Sequence, residues 1–219
     1  MSNPLVIFDC DGTLVDSQHS ICTAMARAFE AVKLPPPERL DILSVVGLSL
    51  PHAVAHLLPN TDAAFHDHVS EHYKAAFRAM RAGGTVSEPL YDGIAELIET
   101  LDAGGWLLGV ATGKSDRGLN LCLTHYGIID RFVTLQTADR HPSKPHPSMI
   151  AQAMADVGAL PETTVMIGDT SFDIEMAVNA GVRGIGVAWG YHPPQLLLDS
   201  GAAAVAVDSA ALARHIGNP

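Results

Sequence analysis

The sequence predicts an α/β fold: a doubly wound, parallel-sheet (Rossmann-like) core with a small helical cap domain inserted after its first strand. Three observations carry that reading. Short apolar runs recur along the 219-residue chain, each ending near Gly, Thr or Asp. From about residue 90 onward helical patterns separate these runs, the alternation expected of a parallel sheet. Residues 18–85, by contrast, contain no convincing strand and read as consecutive helices.

The elements follow in order. Leu5–Phe8 is continuously apolar, as a strand covered on both faces should be. The cap comes next, as helices over Gln18–Val32, Glu38–Val46, Leu50–Leu58 and Asp62–Met80. Breaks fall at Pro35-Pro36-Pro37, Gly47, Pro59-Asn60 and Gly83-Gly84, where Pro and Gly interrupt helical backbone. The stripe Ile21, Met25, Ala28, Val32 has helical spacing and reads as cap core. Strands are then expected at Leu107–Ala111, Phe132–Gln136, Thr164–Ile167, Gly184–Ala188 and Ala204–Val207. Helices are expected at Gly93–Ala103, Asp116–Tyr126, Pro147–Val157, Ser171–Ala180 and Ser209–Ile216. Residues 1–16 and 88–219 would form the core, and residues 17–87 the cap.

Composition bounds the function. The chain is 47% hydrophobic and 17% charged, an ordinary globular balance. Its 24 acids outnumber 13 bases, for a net charge of −11, which argues against nonspecific nucleic-acid binding. An anionic substrate would therefore need an intervening cation. Cys10, Cys22 and Cys122 show neither metal-type spacing nor a disulfide framework, so reduced thiols in a cytoplasmic protein are expected. The opening MSNPLVIFDCDG has too short an apolar run for a signal peptide, and no stretch is suited to span a membrane.

The chemistry gathers at strand ends, where ligands of such sheets bind. Asp9 and Asp11 end the first strand, Thr112-Gly113-Lys114 follows the second, Ser143-Lys144-Pro145 follows the third after a loop, and Gly168-Asp169-Thr170-Ser171-Phe172-Asp173 follows the fourth. Paired carboxylates at a buried strand end are costly, because like charges repel and burial disfavours ionisation. They suit a cation, an acid/base pair, or a nucleophile with its proton carrier. Asp9 can attack phosphorus, while Asp11 can protonate the leaving alkoxide and later deprotonate water. Asp169 could add a second carboxylate for Mg²⁺, and Asp173 could hold metal-bound water. Thr112 offers a hydroxyl, Gly113 exposes backbone N–H groups near a helix start, and Lys144 supplies positive charge. Three ionised aspartates and a phosphate dianion outweigh Lys144 and one divalent cation, so phosphate should bind poorly without metal.

The segments DCDGTLVDS, the Thr112 site, SKP and GDTSFD resemble, in order, the four signature motifs of the haloacid dehalogenase superfamily. The resemblance spans the whole chain, and the helical insertion looks like the family's first-position cap. It implies Asp9 as nucleophile and Asp11 as general acid/base. It also implies Mg²⁺ held by Asp9, the Asp11 backbone carbonyl and Asp169, with Asp173 supporting the metal shell. Thr112 would bind phosphate and Lys144 would stabilise charge. The dehalogenases proper lack an acid at the Asp11 position, so its presence favours phosphate chemistry.

Within the superfamily, the tail GVAWGYHPPQLLLDSGAAAVAVD, GLSL in the cap and GDTSFDIEMAVNAG are similar to phosphoglycolate phosphatases. Sugar-phosphate mutases with this cap carry an arginine after a Gly-x-Ser segment, whereas Leu50 follows Gly47-Leu48-Ser49 here, which speaks against mutase activity. Gly47 and Leu50 are the cap residues expected to touch substrate. The expected partner is a small-molecule phosphate, and the expected assembly a monomer or weak homodimer. A pyrophosphatase, a nucleotidase, a sugar-phosphate phosphatase or mutase, and a non-catalytic phospho-acceptor of the receiver type are the alternatives.

Other residues have plainer expected roles. Lys114 and Arg117 read as solvent-facing helix charges. Cys10 should point away from the site as small apolar filler. His52/His56 and His68/His72 have helical i,i+4 spacing, yet without an accompanying metal motif they read as exposed. His141, His146, Tyr191 and His192 are further candidates for substrate contact.

Overall fold

The computed structural model describes residues 3–218. Its centre is a six-stranded sheet of β1 (Leu5–Phe8), β2 (Leu107–Thr112), β3 (Thr134–Thr137), β4 (Thr164–Gly168), β5 (Arg183–Val187) and β6 (Ala204–Ala206). The strand order is β3-β2-β1-β4-β5-β6, and every pairing is parallel. β1 sits between β2 and β4, with Phe8 opposite both Val110 and Ile167.

The two-residue period of β1 divides the core between two faces. Val6 and Phe8 join one buried cluster with Leu108, Val110, Val165 and Ile167. Leu5 and Ile7 join the other with Met149, Ile150 and Met166. All four β1 side chains are buried, which is why that run shows no polar alternation.

The covering helices are α5 (Ile94–Ala103), α6 (Asp116–His125), α7 (Ser148–Val157), α8 (Ser171–Ala180), α9 (Pro194–Asp199) and α10 (Ser209–Ile216). The chain steps from β1 through β2 to β3, then returns to place β4 on the other side of β1. The order therefore reverses between β1 and β4, and a ligand crevice opens beyond the carboxyl ends there.

Between β1 and α5 the chain forms α1 (Gln18–Ala31), α2 (Arg39–Ser44), α3 (Leu50–Leu57) and α4 (Ala63–Ala82). These helices bury their own cluster, including Ile21, Met25, Ala28, Phe29, Ile42, Val54 and Val69. The helical layer also touches the strand ends. The Ser49 N–H donates to Ser143 Oγ at 2.9 Å. His192 Nδ1 accepts from the Ser171 N–H at 3.0 Å, so its Nε2–H donates to the Ser44 carbonyl at 3.1 Å.

Some expectations are corrected. The third strand starts at Thr134, because Ile129–Arg131 form a 3₁₀ turn and Phe132 turns inward. The Phe132 ring packs edge-on against Phe8 at 6.5 Å. α9 was not anticipated, being only six residues long and opening on Pro193-Pro194. Its Leu197 is buried against Gly186, where a Cβ would lie 2.8 Å from Leu197 Cδ1. α2 is shorter than expected and stops at Ser44. Among the described residues no helix is long and apolar enough to cross a membrane.

Candidate active site

The ends of β1 and β4 bring the acidic residues together. One carboxylate oxygen each from Asp9, Asp169 and Asp173 lies within 4.8 Å of the others, and all three residues are buried. Lys144, fully buried on the loop after β3, inserts its Nζ 2.6 Å from Asp173 Oδ1 and 2.9 Å from Asp9 Oδ1. The other Asp173 oxygen caps α8, accepting from the Thr170 N–H at 3.0 Å and the Thr170 hydroxyl at 2.7 Å. Asp169 accepts from the Thr13 hydroxyl at 2.8 Å and the Tyr191 N–H at 2.9 Å.

Asp9 differs from its neighbours. Lys144 meets its Oδ1 as a charge contact off the line of a hydrogen bond, and Oδ2 has no partner among the described residues. Buried carboxylate oxygens are rarely left so. Gly12 makes the close approach of β1 and β4 feasible. Its φ is +86°, and a Cβ there would lie 2.2 Å from Asp169 Oδ2.

The electrostatics follow from this crowding. Burial, opposed by Lys144 and reinforced by Asp173, pushes the Asp9 carboxyl up to about 7. Burial first, then Asp173 and Asp9, also hold Asp169 well above the usual carboxylate range. Burial alone would lower Lys144, but Asp173 and Asp9 overcome it and raise it. In this cluster of three carboxylates the one lysine meets only Asp9 and Asp173. The unpartnered Asp9 oxygen and the oxygen-only donor set fit a hard divalent cation.

Asp11 faces different partners. The Ser17 hydroxyl donates to its Oδ1, and Lys114 Nζ lies 2.5 Å from the same oxygen. Lys114 also meets buried Glu88 at 2.8 Å, and Glu88 meets Arg81 of α4 at 2.8 Å. The expectation of a solvent-facing Lys114 is overturned, since its side chain is only 9% exposed. Lys114 precedes α6 and belongs to the β2 strand-end loop rather than to a helix face. That position, beyond a parallel strand, was the signal available in the sequence. Glu88 left no such signal, because its partners come from 7 and 26 positions away. Arg117 does remain exposed.

Thr112 is buried and accepts the Lys114 N–H at 3.2 Å. Gly113 lies against the cap, where a Cβ would be 2.6 Å from the Leu48 carbonyl and 2.8 Å from that of Gly47. Asp9, Asp11, Thr112, Gly113, Gly47 and Leu50 all line one cleft of about 890 Å³ between the sheet and the helical layer. His141 instead pairs with Ser148 and Gln136, and the cap residues His52, His56 and His68 are exposed. Cys10 is packed in the sheet core. Tyr191 reaches the site indirectly, its hydroxyl 3.2 Å from Ser17 Oγ.

Fold and site together define a class: a doubly wound α/β protein whose carboxylates meet at a sheet switch point under a helical layer. The model of haloacid dehalogenase-like hydrolases matches residues 6–187, and the chain belongs to that family. It is a phosphoric monoester hydrolase of the phosphoglycolate phosphatase-like subgroup.

A Dickeya dadantii protein named probable phosphatase IndB is 37% identical over 212 residues, covering 90% of each chain. Tyrosine-protein kinase PtkA of Mycobacterium tuberculosis is 33% identical over 192 residues, and the match spans 64% of that longer protein. A phosphoglycolate phosphatase of Nitrosococcus oceani is 28% identical over 191 residues, covering 86% of this chain and 85% of its own. The crystal structure of a predicted phosphatase from Clostridium acetobutylicum superposes with a TM-score of 0.88 at 25% identity, covering 99% of this chain and 98% of its own.

Proposed function

We propose that this protein is a Mg²⁺-dependent phosphatase that hydrolyses a small organic phosphate monoester through an aspartyl-phosphate intermediate. One observation carries the proposal: Asp9 presents an unpartnered buried oxygen, while Asp11, two residues on, is held by a separate set of partners. Two neighbouring carboxylates so divided can take two roles, nucleophile and proton carrier. Asp9, the Asp11 backbone carbonyl and Asp169 would hold the metal, with Asp173 supporting its shell. The cation supplies charge neutralisation that lets a phosphate dianion approach carboxylates.

Asp9 Oδ2 attacks phosphorus and the ester bond breaks. Asp11 gives its proton to the departing alkoxide, then takes one from the water that hydrolyses the acyl phosphate. Thr112 and the Gly113 N–H bind phosphate oxygens, and Lys144 holds nucleophile and phosphate together. Gly47 and Leu50 face the substrate from the cap. Phosphoglycolate is the first candidate, on the likeness to phosphoglycolate phosphatases. The partner is a small-molecule phosphate, and with a net charge of −11 the chain lacks a general attraction for nucleic acid. We place it in the cytoplasm as a monomer or weak homodimer.

The test is phosphate release from small phosphates with and without Mg²⁺. Asp9→Asn should lower kcat by at least about a thousandfold without unfolding the protein. Full activity in that variant would overturn the mechanism.

A further inference from the structure

The cleft above Asp9 is large for a two-carbon acid. Its volume is about 890 Å³, and cavities of roughly 300–1,000 Å³ commonly take drug-sized ligands. Phosphoglycolate would leave most of it to water. The walls are mainly apolar, with Ile21 and Met25 of α1 facing Tyr73 and Phe77 of α4. Those two rings lie 5.9 Å apart at an interplanar angle of 37°. Flat aromatic surfaces favour a ring as occupant.

Apolar walls alone would also suit an alkyl chain, but two features give the occupant a polar edge. Tyr73 is half-buried in the cleft wall, and its hydroxyl has no hydrogen-bond partner among the described residues. A tyrosine hydroxyl at an apolar wall offers a bound molecule a polar partner beside the ring. In addition, Arg78 of α4 and Arg117 of α6 line the cleft and have no ion-pair partner among the described residues.

We propose that the substrate is a phosphomonoester of nucleotide-like size whose leaving group bears a flat, heteroaromatic ring. The phosphate sits at Asp9 and Thr112, the ring lies along Phe77 and Tyr73, and the Tyr73 hydroxyl hydrogen-bonds its polar edge. Phe77 and Tyr73 are thereby specificity-determining residues. The proposal rests on the phosphatase reading above and sets a ring-bearing ester in place of phosphoglycolate as the first candidate.

The experiment measures phosphate release with Mg²⁺ from acetyl phosphate, phosphoglycolate, glycerol 3-phosphate, pyridoxal 5′-phosphate and adenosine and uridine 5′-monophosphates. At least one ring-bearing ester should exceed phosphoglycolate in kcat/KM by about tenfold or more, given the extra apolar contact. Phe77→Leu keeps apolar bulk while removing the ring. It should cut the ratio of ring-bearing to two-carbon kcat/KM by about fivefold, and Tyr73→Phe should cut it in the same direction. If phosphoglycolate equals or exceeds every ring-bearing ester, or if the variants leave the ratio unchanged, the substrate class is wrong and the phosphatase reading stands. If not even acetyl phosphate is hydrolysed, both fall.

Discussion

At the scale of single residues, Lys144 is the hinge of the site's electrostatics. Its ammonium is fully buried and lies against Asp9 and Asp173. Removing one partner of a buried ion pair leaves uncompensated charge, which costs far more than the pair contributes. Lys144→Met should therefore destabilise the protein by about 3–5 kcal/mol in urea unfolding at pH 8. The loss should shrink at pH 5, where the raised carboxyls of Asp9 and Asp169 take up protons instead. Asp9, Asp11, Thr112 and Lys144 were all legible as sequence, because short motifs at strand ends confine them. The strand-end position of Lys114 was legible too, but its burial was not, because its partners Asp11 and Glu88 come from other parts of the chain.

At the scale of elements, the chain of charges Arg81–Glu88–Lys114–Asp11 ties α4 to the loop after β1. Arg81 lies near the C-terminus of α4, Glu88 in the segment leading back to the core, and Lys114 in the loop between β2 and α6. Glu88 is the shared member, with a cation on each oxygen. Glu88→Gln should cost about 3 kcal/mol in chemical denaturation. The double variant Glu88→Gln/Lys114→Met should lose clearly less than the two single losses added together, because both remove the same contact. Additivity would show that the pair is not coupled. The elements themselves were largely readable, since buried strands form unbroken apolar runs and α1 and α4 carry an apolar stripe. α9 was missed because its six residues are too short to show periodicity.

At the scale of the whole molecule, the site is a charge imbalance that the fold maintains. In the metal-free protein, burial keeps Asp9 and Asp169 protonated at pH values where the unfolded chain would release those protons. The resulting stabilisation is present at low pH and is lost as pH rises from the ordinary carboxylate value of 3.8 through about 7 for Asp9. His192, lowered by burial, works in the opposite sense as pH falls below the ordinary imidazole value of 6.5. A divalent cation held by the ionised carboxylates would offset the first effect alone. Saturating Mg²⁺ should thus raise Tm by about 5–10 °C at pH 8 and by clearly less at pH 5. Equal shifts at both pH values would argue against binding by these carboxylates.

The sequence by itself determined the α/β class, the presence and order of the six strands, and the motif residues at their ends. Hydrophobic period and strand-end chemistry are local properties that a chain carries openly. Only the tertiary structure decided that β1 and β4 flank the switch point, that Asp9 keeps an unpartnered oxygen there, and that Lys114 is buried against Glu88. It also set the size and aromatic lining of the cleft, because α1, α4 and the strand ends meet there from distant parts of the chain. Those are facts of distance between segments far apart in sequence, and spacing along a chain does not encode them.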